Sequence, residues 1–83
     1  MYTSLDEFKA EGYTSGYTWL QEGRKHPSEK GGYIPGGPGN YYDSRHNPTM
    51  YELYREGRKA WVAGWKDGIN AYVTEHKLDF PQV

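Results

Sequence analysis

The 83-residue chain contains no cysteine, which excludes disulfide bonds and thiolate zinc sites as sources of stability. No stretch approaches the run of about 18 apolar residues that marks a membrane-spanning helix. The opening residues, MYTSLDEFKAEG, lack the basic and apolar regions of a signal peptide. We therefore expect one small domain, residues 1–83, in a cytoplasmic protein without membrane contact.

An excess of charge of either sign is also absent. Ten Lys and Arg residues oppose eleven Asp and Glu residues, so the formal net charge is −1. A nearly neutral chain gives no whole-molecule argument for a nucleic-acid or membrane partner. The distribution is uneven, however, because residues 1–23 are acidic whereas residues 24–46 are mildly basic.

Aromatic residues are plentiful, with nine tyrosines, three tryptophans and two phenylalanines. Large rings supply much buried area per residue, which suits a small core. We expect most of them to be core residues. The aromatic surface that two helices leave uncovered is a candidate for contact with a partner or a second copy of the chain, as a homodimer.

The first predicted helix covers about residues 4–23. Ser4 and Glu7 form a Ser-x-x-Glu capping box at its start. Apolar residues and glycines then recur at steps of three and four, which is the spacing of one helix face. This stripe consists of Leu5, Phe8, Gly12, Gly16, Trp19, Leu20 and Gly23.

The second predicted helix covers about residues 48–76, with Asn47 as its cap and Pro48 at its first position. Ala60, Gly64 and Gly68 form a row without large side chains, beside Trp61 and Trp65. Each glycine costs roughly 1 kcal/mol relative to alanine in a helix interior. Close approach of another helix recovers this loss through dispersion contacts.

The glycines at positions 12 and 16 are the expected counterpart on the first helix. The pattern predicts an all-α fold, an antiparallel two-helix hairpin packed glycine face to glycine face. The connecting loop, about residues 24–47, is rich in Gly, Pro and Tyr and has no regular period. Its tyrosines indicate that part of it packs over one edge of the helices. Within it, DSRHNP is interpreted as a turn that leads into the second helix.

The sequence contains no clear motif for metal binding, phosphate binding or catalysis. His26, His46 and His76 are spread along the chain, and without cysteine a zinc site would need all three and a carboxylate. The segment GGYIPGGPGN lacks the Gly-Lys-Ser/Thr ending of a phosphate-binding loop. We expect no catalytic residue, no cofactor and no metal, and a protein that is not an enzyme.

Basic residues and tyrosines occur together in the loop and at the start of the second helix. Arginines contact phosphates, and tyrosines stack on unpaired bases. The candidate residues for binding RNA or another partner are Arg24, Lys25, Lys30, Tyr33, Tyr41, Tyr42, Arg45, Arg55, Arg58, Lys59 and Trp65.

Two short motifs give the chain a family resemblance. A Gly-Tyr-x-x-Gly pattern on the first helix is followed by a proline-containing loop and by Trp-x-x-Gly-Trp-x-Asp on the second. This arrangement resembles the ribosome modulation factor family and its short plasmid- and phage-borne relatives. The matching positions are Gly12, Tyr13, Gly16, Pro48, Trp61, Gly64, Trp65 and Asp67.

The resemblance implies a two-helix protein that binds the ribosome and its RNA and regulates translation. An alternative is a phage- or plasmid-derived interaction module that inhibits or modulates a host protein, which suits the nearly neutral charge. A third, an enzyme that modifies a small molecule, is the weakest of the three hypotheses.

Overall fold

The computed structural model describes residues 2–83 and contains two helices and no strand over that range. Helix α1 spans Leu5–Gln21 and helix α2 spans Pro48–Glu75. The all-α, two-helix prediction is confirmed, and each helix ends within two residues of the predicted position.

Helix α1 begins at the Ser4 cap that the sequence predicts, but the Glu7 carboxylate, the other half of the predicted capping box, accepts from the Thr3 N–H and not from that of Ser4. The Ser4 hydroxyl accepts a hydrogen bond from the Glu7 N–H at 3.4 Å. The Glu7 carboxylate reaches back to Thr3, accepting from its N–H at 3.1 Å and from its hydroxyl, which holds the pKa of Glu7 below its usual value. The helix ends at Gln21, and Gly23, just past the Glu22 cap, has a φ of 83°, a left-handed conformation that glycine adopts without strain.

Helix α2 is capped at its start by Asn47, whose side chain accepts from the Met50 N–H at 3.3 Å. Pro48 occupies the first helical position, where its missing N–H leaves no carbonyl unpaired. The preceding turn is held by Asp43, whose carboxylate accepts from the Arg45 N–H at 2.7 Å. The interpretation of this segment as a turn into a capped helix is therefore confirmed.

Glycines set the distance between the two helices. A Cβ built on Gly12 would lie closer than 3.0 Å to the backbone carbonyl of Trp61, and one on Gly16 would meet the carbonyl of Trp65 in the same way. The relation is reciprocal. A Cβ on Gly64 would meet the Lys9 carbonyl, and the corresponding atom on Gly68 would meet that of Tyr13. The two backbones therefore pack directly on each other, as the paired glycine rows predict.

The direction of this packing differs from the expected one. Phe8 lies against Gly57, Gly12 against Trp61 and Gly16 against Trp65, so residue numbers rise together along both helices. The helices are therefore parallel, and the antiparallel arrangement expected from the sequence is wrong. The periodicity of a helix face is the same for both directions and cannot distinguish them.

A parallel pair requires the connecting segment to travel back along the helices. Residues 22–47 do so in turns and extended stretches. The segment passes the Trp61 ring at Gly37. Further along, the Asn40 side chain donates to the Tyr51 carbonyl at 2.9 Å. This return covers the roughly 25 Å length of a 17-residue helix.

The core lies between the helices and under the returning segment. Phe8, Trp65 and Ile69 have no exposed area, and Tyr54 and Trp61 are 8% exposed. The Tyr2 ring stacks on Phe8 with centroids 3.9 Å apart, and so closes the amino-terminal end of the core. Most large rings serve packing, as the composition predicts.

The last residues fold back onto α2. The Asn70 side chain donates to the Val83 carbonyl at 3.2 Å and accepts from the Val83 N–H at 2.9 Å. The Phe80 ring stacks on His26 with centroids 4.4 Å apart, which joins the tail to the start of the connecting segment.

Candidate nucleic-acid interface

A groove forms where the connecting segment crosses α2. It has a volume of about 410 Å³ and is lined by Gly36, Arg55, Arg58, Lys59 and Val62. Arg55 and Lys59 are one helical turn apart, so both side chains project from the same face of α2. The lining of the groove therefore combines the apolar Val62 side chain with three cationic side chains.

Carboxylates on α2 neutralise part of this charge. The Arg55 guanidinium lies 2.9 Å from Glu52 and 3.3 Å from Glu56, and Lys59 lies 3.6 Å from Glu56. Arg58 has no carboxylate within ion-pair distance among residues 2–83. An incoming anion can therefore pair with Arg58 without displacing an existing ion pair.

A row of rings leads from the core to the surface at the carboxyl end of α1. The buried Trp65 meets Trp19 edge to face with centroids 5.5 Å apart, and Trp19 meets Tyr33 at 5.6 Å. The Trp19 indole N–H donates to the Lys25 carbonyl at 2.9 Å, which fixes the ring. The Arg24 guanidinium lies over the Trp19 ring, 4.6 Å from its centroid. Tyr33 is the outermost ring and is 60% exposed.

Two lysines lie beside this row. The Lys25 ammonium donates to the Lys30 carbonyl at 3.2 Å. Neither lysine has a carboxylate within ion-pair distance in the described part of the chain, whereas Arg24 lies 3.5 Å from Glu22. Lys25 and Lys30 therefore add positive charge, without an ion-pair partner among residues 2–83, to the segment that leads to Tyr33.

The remaining predicted residues lie in different surroundings. Tyr41 is 85% exposed, whereas its neighbour Tyr42 packs against Tyr54 with centroids 5.0 Å apart. Arg45 lies in the turn before α2 and pairs with Asp43 at 3.6 Å. Trp65 has no exposed area, so its role is packing, and its ring cannot touch a partner in this fold.

Sequence reasoning missed Gly36 and Val62 in the groove and Trp19 in the ring row. Trp19 lies on the apolar stripe of α1, and this pattern favours a core residue. The contact with Tyr33 depends on the path of the connecting segment, for which no periodic signal exists.

His26 is buried, with 1% of its surface exposed. Its Nδ1 accepts from the Ser28 N–H at 3.1 Å, and its Nε2 has no hydrogen-bond partner among the described residues. Burial disfavours the charged imidazolium and lowers the pKa of His26 below its ordinary value of 6.5.

Two further features bear on function. Within residues 2–83 no group of three or more His, Asp or Glu side chains is arranged to hold a metal ion. Neither helix of the described chain is long and apolar enough to cross a membrane.

Comparison with known proteins found no similar protein. No family model matches the chain, and no curated protein and no solved structure is significantly similar to it.

Proposed function

We propose that this protein is a non-catalytic RNA-binding protein that associates with the ribosome and regulates translation. RNA affinity depends largely on cations that pair with phosphates. The single observation that carries the proposal is the groove beside α2, where Arg58 stands unpaired between Arg55 and Lys59. The ribosome as the particular target rests on the family resemblance of the two glycine–aromatic motifs.

The geometry of the groove suits a nucleotide. Its lining combines the apolar Val62 side chain, which suits the face of a base or a sugar, with three cations that suit phosphates. The chain as a whole has a net charge of −1, so attraction must come from this local arrangement and not from a long-range field.

A second candidate function is the inhibition or modulation of a host protein. The nearly neutral chain and the fully projecting Tyr41 ring favour it, because tyrosine is enriched at protein interfaces. A protein partner bound through Tyr41 would give an affinity that depends little on salt.

Fluorescence anisotropy with labelled ribosomal RNA fragments tests the proposal. Arg58→Glu should weaken binding by about tenfold or more, because it removes one phosphate contact and adds a repulsive charge. Lys77→Glu is the matched control. It makes the same change in charge at an exposed position beyond the carboxyl end of α2, and that end lies about 25 Å from Arg58 along the helix axis.

Affinity should fall steeply as salt is added, and the salt slope should be smaller for Arg58→Glu than for the parent protein. Equal losses of RNA affinity in Arg58→Glu and Lys77→Glu would show that binding depends on the net charge of the protein and not on the groove. Retained affinity in Arg58→Glu would contradict the proposed site.

A further inference from the structure

We infer that the ring row at the end of α1 is a stacking platform, with Tyr33 as its outer face, and that the RNA bound by this protein is single-stranded. This inference rests on the proposed RNA-binding function and names the class of RNA. A duplex hides its base faces, whereas an unpaired base offers a π-face to an exposed ring.

The Tyr33 ring is held in place before any ligand arrives. It packs on Trp19, which is itself fixed by Trp65 on one side and by the hydrogen bond to the Lys25 carbonyl. An exposed ring backed by two others loses little side-chain freedom when a base stacks on it. Tyr41, by contrast, is 85% exposed, and its ring lies beside Gly39 of its own loop.

Positive charge is also present in the segment that carries Tyr33. Lys25 and Lys30 are joined by a hydrogen bond beside the row, and neither is paired with a carboxylate among residues 2–83. Arg24 covers the Trp19 ring, 4.6 Å from its centroid, and keeps its guanidinium at the same edge. The local charge therefore complements a nucleic-acid backbone.

The platform adjoins the groove beside α2. Tyr33 and Gly36 are three residues apart, so their Cα atoms are separated by at most about 11 Å. Gly36 lines the groove with Arg58. We therefore expect a short unpaired strand that stacks on Tyr33 to place a neighbouring phosphate within reach of Arg58.

The test compares a labelled oligouridine of twelve nucleotides with a duplex of equal length, using the intact chain and fluorescence anisotropy. We expect the single strand to bind at least about tenfold more tightly. Tyr33→Ala should weaken single-strand binding by about tenfold and leave duplex binding unchanged. Tyr33→Phe should retain the affinity, because it keeps the ring.

Tyr41→Ala is the matched control, since it removes an exposed loop tyrosine outside the ring row. Thermal midpoints of all variants should equal that of the parent, because both rings are largely solvent-exposed.

Equal binding of single strand and duplex, or equal losses in Tyr33→Ala and Tyr41→Ala, would overturn the platform while leaving RNA binding intact. Absence of binding to every RNA would overturn both the platform and the proposed function.

Discussion

Gly64 of α2 lies directly against the backbone carbonyl of Lys9 in α1, with no space for a side chain between them. In the matching contact the glycine is on α1 and the carbonyl is on α2, because Gly12 lies against the Trp61 carbonyl. Two helices in such contact gain dispersion and weak Cα–H···O interactions along their backbones. The fold therefore depends on residues that weaken each helix by itself.

Gly64→Ala should destabilise the protein although alanine is the better helix residue. The gain in helix propensity is about 1 kcal/mol. A Cβ closer than 3.0 Å to the Lys9 carbonyl forces the helices apart, and overpacking of this kind costs about 1–3 kcal/mol or more. Because separation also loosens neighbouring glycine contacts, we expect a drop in the thermal midpoint of about 5–10 °C. Gly36→Ala, where no atom lies within 4 Å of the added Cβ, is the control and should leave the midpoint unchanged.

The parallel direction of the helices is testable with spin labels, because the chain has no native cysteine. Labels at Asp6 and Glu52 should be close, since Phe8 lies against Gly57. Labels at Asp6 and Glu75 should lie about 30 Å or more apart, from the rise of 1.5 Å per residue. Pulsed electron–electron double resonance measures these distances. A shorter distance for the Asp6–Glu75 pair than for the Asp6–Glu52 pair would establish the antiparallel arrangement instead.

Stability should fall as the pH decreases from 7 towards 5, through the burial of His26. Its folded-state pKa lies below 6.5, so the unfolded chain binds the proton more tightly. The contribution of His26 to the free energy of unfolding is therefore complete above pH 6.5. It is lost as the pH falls from 6.5 towards the folded-state pKa, by at most about 1.4 kcal/mol per pH unit. Urea unfolding at several pH values measures this slope.

His26→Gln should flatten that dependence, whereas His46→Gln should preserve it, because the His46 side chain is 83% exposed. Measurements above pH 5 avoid the titration of Glu7, whose pKa also lies below its usual value. An unchanged slope in His26→Gln would show that this histidine does not couple protonation to folding.

Asn70→Ala should release the tail from α2. The variant loses both hydrogen bonds to the backbone of Val83, together about 1–2 kcal/mol. Hydrogen exchange at the Val83 amide, which donates to Asn70, should accelerate, while exchange within α1 stays slow. Thr74→Ala, at an exposed position of the same helix, is the control. Slow exchange in the tail of Asn70→Ala would mean that Phe80 alone holds it.

The helices and their contact faces were readable from the sequence because they depend on local signals. The Ser4 and Asn47 caps mark the helix starts, and the spacing of Gly12, Gly16, Gly64 and Gly68 marks the faces that meet. These features follow from helix periodicity and capping chemistry.

The direction of the pair and the composition of the site were not readable in this way. A long connecting segment allows either direction, and its path decides which residues border the groove. Adjacent tyrosines illustrate this, because Tyr42 packs on Tyr54 while Tyr41 projects into solvent. The stacking of Phe80 on His26 joins residues far apart in sequence, and no local pattern predicts it.

Sedimentation of the protein with ribosomes through sucrose gradients, at low and at moderate salt, tests the proposed ribosome binding. We expect the protein to migrate with ribosomal particles at low salt and to be released at moderate salt, and we expect Arg58→Glu not to migrate with them. A protein that stays at the top of the gradient under both conditions would show that it does not bind the ribosome.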